Sequence, residues 1–138
     1  MLIDDFIKIL TDKKNSGNTI FVCGNGGSAS NAEHFTNDLF SRGFKAICLN
    51  SNVSIITMIA NDYGYQYIFR KQLEVFAQKG DLLIVISCSG TSPNITEAVD
   101  LGMETCTIFG GSGSYGDMES DHLKLMHQIV ERLGDKSI

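Results

Sequence analysis

The run Asp81 to Ser87, DLLIVIS, constrains this chain more than any other stretch. A strand that is apolar at successive positions has to be covered on both faces, which is the situation of a parallel strand inside an α/β sheet. The run ends in small residues, Cys88-Ser89-Gly90-Thr91-Ser92, and Pro93 then suits the first turn of a helix. The same arrangement occurs earlier. Thr19 to Cys23 is a short β-branched and aromatic run, and Gly24-Asn25-Gly26-Gly27-Ser28 follows it. Ser28 is placed to act as the N-cap of a helix over about 29–41.

The alternation continues along the chain. Leu2, Ile3, Phe6, Ile7, Ile9 and Leu10 form a helical stripe over 2–14, closed by the turn residues 14–18. Lys45 to Leu49 predicts a strand, Val53 to Ala60 a short helix, and Gln66 to Gln78 a segment of mixed helical spacing. Glu104 to Phe109 predicts a fourth strand, 110–116 a glycine-rich connection, and 119–133 a closing helix. Strand and helix in turn imply an α/β fold, a three-layer α/β/α open parallel sheet in one domain. In such sheets ligands sit beyond the carboxyl ends of the strands, where both small-residue loops fall.

Composition narrows the classes of function. Sixteen acidic against eleven basic residues leave a net charge of −5, and no basic cluster exceeds two residues. No nucleic acid and no membrane surface is therefore expected as main partner. The amino terminus carries two acids where a secretory leader would be basic, and Leu82 to Ile86 is far too short to span a bilayer. The four cysteines show no CxxC spacing and suit reduced packing thiols, so a cytoplasmic protein is expected.

The first loop fits a loose GxGxx[G/A] pattern, but the following strand ends in Asn50-Ser51-Asn52, without the acid that a dinucleotide ribose requires. What remains is backbone N–H groups and a hydroxyl at a helix start, which suits an anion. The second loop adds further hydroxyls. Either loop alone is adequately explained as helix capping; together, at one sheet edge, they favour a ligand with a phosphate. His34 and Asp38 share a helical face at i and i+4, which serves a metal, a proton relay or a plain ion pair. On the closing helix Glu119 and His122 share a face, His127 pairs with Glu131 at i+4, and Glu119 and His127 lie about 80° apart on the wheel.

Taken in order, Gly24-Asn25-Gly26-Gly27-Ser28, His34-Phe35-x-x-Asp38-Leu39, Ala60-Asn61-Asp62-x-Gly64, Ser87-x-Ser89-Gly90-x-Ser92 and His122-Leu123-x-x-x-His127 resemble the phosphoheptose isomerase branch of the SIS (sugar isomerase) family. The resemblance runs from about residue 19 to 133. It implies a flavodoxin-like SIS domain over 1–138, with 1–17 as an amino-terminal helix open to oligomer packing and 18–138 as the phosphosugar-binding core. It also implies an aldose–ketose isomerase that converts sedoheptulose 7-phosphate to D-glycero-D-manno-heptose 7-phosphate through an enediol, early in nucleotide-activated heptose synthesis for surface polysaccharide. Ser28, Ser87, Ser89 and Ser92 would take the phosphate end, and Asn25 and Asp62 the sugar. Gly26, Gly27 and Cys88 would complete the binding loops. Asp38 and His127 would act as acid and base, and one zinc per subunit would be held by His34, Asp38, Glu119 and His127. A homotetramer with sites at subunit contacts is implied as well.

The chain departs from that pattern. Asp38 stands where relatives carry Glu, Glu119 where Gln is common, and Cys88 where a hydroxyl residue is usual. An additional first helix is lacking, the 40–44 turn is tight, the helix after Pro93 is shorter by about a turn, and no final strand is legible after Phe109. These shortfalls fall at turns and predict missing segments, so that consecutive residues here join positions further apart in such relatives. The competing readings are a non-catalytic SIS phosphosugar sensor or adaptor, and a nucleotide-binding module that the missing acid weakens.

Overall fold

The computed structural model describes residues 2–138. Four parallel strands form one sheet: β1 (Thr19–Gly24), β2 (Lys45–Cys48), β3 (Leu82–Ser87) and β4 (Glu104–Phe109). Their spatial order is β2-β1-β3-β4. Ile20 lies opposite both Ala46 and Leu82, and Leu82 lies opposite Glu104, so the four strands run in one direction. The helices are α1 (Ile3–Ser16), α2 (Gly27–Ser41), α3 (Val53–Asp62), α4 (Arg70–Phe76), α5 (Pro93–Asp100) and α6 (Tyr115–Arg132).

Alternation along the strands divides the core in two. Ile20 and Val22 of β1 and Leu82, Ile84 and Ile86 of β3 join Phe6, Phe35, Met126 and Ile129 on the face of α1, α2 and α6. Phe21, Cys23, Leu83 and Val85 turn to the opposite face, against Ile59, Leu73 and Ile95 of α3, α4 and α5. This is the three-layer arrangement that the apolar strands imply, and all six residues of β3 are buried. At the amino ends of the strands the buried Asp81 carboxylate accepts from Thr19 N at 2.9 Å and Gln78 N at 2.8 Å, tying β1 to the entry of β3. The stripe of α1 buries Phe6 and Leu10 against the sheet, so its apolar face is largely spent within the chain itself. No helix among the described residues is long and apolar enough to cross a membrane.

Three local expectations need correction. Helix α2 begins at Gly27, so Ser28 lies inside it rather than capping it. Gly26, at φ 56°, takes the N-cap position through backbone alone. The 66–78 segment divides into a 3₁₀ turn (Tyr65–Tyr67) and α4, in which the buried Gln72 amide donates to both Leu49 O and Ile68 O at 2.8 Å. The closing helix starts four residues early, at Tyr115. Ser114 and Asp117 form a reciprocal capping box there, which offsets the glycines around it. As the sequence indicates, no strand follows β4 among the described residues.

Candidate functional site

The order β2-β1-β3-β4 reverses direction between β1 and β3, and the loops leaving those two strands diverge to opposite faces of the sheet. The crevice at such a switch point is open at the carboxyl ends. Here it measures about 240 Å³ and is lined by Asn25, Gly26, Gly27 and Ser28 from the first loop. Ser87, Cys88, Ser89 and Ser92 come from the second, and Tyr115 and Glu119 from α6. Eight of the nine residues assigned to substrate binding are therefore gathered in one place. The ninth, Asp62, is not: it is exposed at the end of α3, where its carboxylate accepts from Asn61 at 3.0 Å.

Backbone clamps fix the two loops. Gly24 carries the end of β1 so close to its neighbours that a Cβ would lie 2.5 Å from Ser28 O and 2.8 Å from Ile86 O, so glycine is required. Asn50, at the position where a ribose-binding acid would be needed, instead grips Gly24. Its amide donates to Gly24 O at 2.7 Å and accepts from Gly24 N at 3.2 Å. The loops are joined directly by a reciprocal amide pair, Asn25 to Asn94 at 2.8 Å and Asn94 to Asn25 at 2.9 Å. Ser87 and Ser89 accept from Gly90 N and Thr91 N, at 2.9 and 3.2 Å, which folds the second loop inward. Behind the first loop, burial pushes the Cys23 thiol well up, leaving it a protonated packing group.

A second cluster lies further along α2 and α6. His34 Nε2 is 3.3 Å from Asp38 Oδ2, and the His34 and His127 rings meet edge to face with centroids 4.9 Å apart. One donor atom from each of His34, Asp38 and His127 lies within 4.8 Å of the other two. Two imidazoles and a carboxylate so disposed match the donor set of a tetrahedral zinc with one open position. Glu119 does not join this group. Its carboxylate occupies the space where a side chain at Gly27 would begin, and its backbone carbonyl accepts from Asn31 at 2.9 Å. Along α2 and α6 the contacts thus run in parallel: Gly27 beside Glu119, then His34 beside His127, about two turns or 11 Å onward.

Sequence reasoning missed three residues that shape the site. Asn50 and Asn94 carried no motif signal beyond being polar at a strand end and a helix start. Tyr115 was hidden by the glycines, although the Ser114-x-x-Asp117 spacing of a capping box was visible. His122 is buried outside both the crevice lining and the His-Asp-His group: its Nε2 lies 2.8 Å from Gly110 O, pinning the connection out of β4, and its Nδ1 has no hydrogen-bond partner.

The family model described as the SIS domain matches residues 2–110. The chain belongs to the SIS domain family. Within it, the chain is 39% identical over 130 residues to the phosphoheptose isomerase of Geobacter sulfurreducens, covering 89% of this chain and 69% of that one. That places it in the phosphoheptose isomerase branch. It is also 44% identical over 116 residues to the phosphoheptose isomerase of Aliarcobacter butzleri, 77% of this chain but 61% of that one, so it spans less than two thirds of that relative. Among solved structures, the phosphoheptose isomerase of Neisseria gonorrhoeae superposes with a TM-score of 0.91 at 26% identity, over 95% of this chain and 84% of that one. The open parallel sheet is thus that of an SIS domain.

Proposed function

We propose that this SIS domain is an aldose–ketose isomerase interconverting sedoheptulose 7-phosphate and D-glycero-D-manno-heptose 7-phosphate. The observation that carries the reading is the pairing of an anion-suited crevice with a His-Asp-His cluster on one pair of helices. The separation also suits the substrate. An extended seven-carbon chain gains about 1.2 Å per bond, so its C1 end lies on the order of 10 Å from the phosphate. That is close to the two helical turns between Gly27 and His34.

In the crevice, the N–H groups at the start of α2 and the hydroxyls of Ser28, Ser87, Ser89 and Ser92 would hold the phosphate without a cation. Asn25, already fixed by Asn94, would present its amide to the sugar. Isomerisation moves a proton from C1 to C2 and a hydroxyl proton from O1 to O2, by way of the enediol. Asp38, half-buried beside His34, is the group to carry the proton between the carbons, and His127 the one between the oxygens. Asp38 is one methylene shorter than the Glu that the family pattern carries, so the substrate carbon has to approach α2 more closely. Zinc held by His34, Asp38 and His127 would polarise the carbonyl without changing oxidation state. A homotetramer, a cytoplasmic location and a role in heptose supply for surface polysaccharide belong to the same proposal. A phosphosugar sensor would keep the loops but has no use for the cluster.

The test is a carbon-13 NMR time course with sedoheptulose 7-phosphate, on metal-stripped protein and again after zinc is restored. An aldose signal that grows on zinc addition is expected. Turnover without zinc would keep the isomerase and remove the metal from the reaction. Binding without turnover in either sample would establish the sensor instead.

A further inference from the structure

Among the described residues lining the 240 Å³ crevice, Glu119 is the only charged one, and its sign is wrong for a phosphate. Eight of the other nine are glycine, serine, cysteine or tyrosine in the two loops and at the start of α6, and two of the eight, Gly26 and Gly27, open α2. A phosphate would therefore depend on backbone dipoles and hydroxyls, with no lysine or arginine to outweigh a nearby carboxylate. The seat of that carboxylate matters more than its presence. It lies against Gly27, the first residue of α2, in the space a Cβ would fill. The amino end of a helix stabilises a carboxylate and a phosphate alike through its dipole. At α2, Ser28 N and Ala29 N already donate to Asn25 O at 2.9 Å and Gly26 O at 3.0 Å, so the two anions share that electrostatic attraction and the same space beside Gly27.

From this coincidence we infer that Glu119 is an internal competitor for the phosphate seat. Its carboxylate rests at the start of α2 when no ligand is bound and has to leave before a phosphate ester can occupy the crevice. The inference rests on the phosphosugar reading of the crevice and deepens it. Glu119 is held close to the seat from its backbone side. Asn31, buried on α2, donates to the Glu119 carbonyl at 2.9 Å, which ties this turn of α6 to α2 while leaving the Glu119 side chain free to swing. Gly27 is also what permits the contact. Its backbone is not left-handed, so the requirement for glycine there is one of space rather than of φ. A shorter or neutral side chain at 119 would leave the helix start vacant or uncharged.

Isothermal titration of the metal-stripped protein tests this, first with inorganic phosphate and then with sedoheptulose 7-phosphate. The variants are Glu119→Gln, which keeps the shape and removes the charge, and Asp121→Asn, which removes the same charge from an exposed site on α6 outside the crevice. Glu119→Gln is expected to bind inorganic phosphate roughly tenfold more tightly than the parent, the change made by ~1.4 kcal/mol. Asp121→Asn is expected to match the parent. No gain in Glu119→Gln, or an equal gain in both variants, would overturn the inference, the second by showing a general effect of net charge. Weaker binding of the sugar phosphate with inorganic phosphate unchanged would also overturn it, and would make Glu119 a hydroxyl-binding residue. If none of the proteins binds either probe, the phosphosugar reading itself fails, and the inference with it.

Discussion

The crevice at the sheet edge and the His-Asp-His cluster two turns away share α2 and α6 but are held by different means. The crevice is a product of chain topology. Its walls are loops leaving adjacent parallel strands, and its rigidity comes from backbone clamps: Asn50 on Gly24, and Asn25 on Asn94. The cluster is a product of helix packing. Its three donors are side chains on helix faces, half-buried or exposed, and they meet only because α6 lies along α2. A topological site survives changes to its side chains as long as the backbone is held. A site of side chains alone is lost with any one of them. The two regions should therefore fail differently, binding in one case and turnover in the other.

The sharpest break is His127→Ala. It removes an imidazole that the backbone clamps do not need, so turnover should fall by roughly 10²–10⁴. Binding of sedoheptulose 7-phosphate by calorimetry should be retained. If binding were lost in parallel, the two regions would be one cooperative unit and the comparison would collapse.

Asn94→Ala should break the other side. Asn94 is 2% exposed, and its loss leaves the Asn25 amide without its partner between the two loops. Asn25 is half-buried at the crevice and water can replace part of what it loses, so the cost is that of the net hydrogen bonds, about 1–2 kcal/mol. For a chain of this length that corresponds to a fall in Tm of roughly 3–8 °C, read by differential scanning calorimetry. Substrate KM should rise more than kcat falls, since the loops bind the phosphate end and the cluster stands apart. A fall in kcat at constant KM would place Asn94 with the cluster instead.

This division also explains what was legible in the sequence. Strands announce themselves by composition, and β1, β3 and β4 follow their apolar runs to within a residue. The loops were legible because glycine and serine after a strand have few other uses. Helix starts were harder, since Gly26 caps α2 by conformation rather than by side chain, and the capping box of α6 lies among glycines. The cluster was half legible. His34 and Asp38 sit on one helix at i and i+4, but nothing local says that His127 faces them. The wheel already held Glu119 apart from His127, and the structure gives the reason: Glu119 lies beside Gly27, two turns back from the cluster. Asn50 and Asn94 were invisible because each acts on a strand end that is distant in sequence.

The smallest expected effect concerns the start of α6, which borders the crevice but not the cluster. The Asp117 side chain accepts from Ser114 N at 2.9 Å, and this hydrogen bond holds its carboxyl below the ordinary value of 3.8. A carboxyl lowered in the folded state contributes stability that is fully present above the unfolded value, and it is lost as pH falls through the folded one. Acidification below about pH 4 should therefore release the cap and fray Tyr115 to Met118, next to Glu119 and two turns short of His127. Thermal unfolding followed from pH 5 to pH 2.5 should show a slightly lower Tm for Asp117→Asn than for the parent at pH 5. The gap should narrow with acidification, because the parent loses what the variant never had. At pH 5, phosphate binding should weaken slightly in this variant while cation binding at His34, Asp38 and His127, measured by zinc titration, stays unchanged. Equal weakening of both would show that the cap supports α6 as a whole, and that the crevice and the cluster are not separable along that helix.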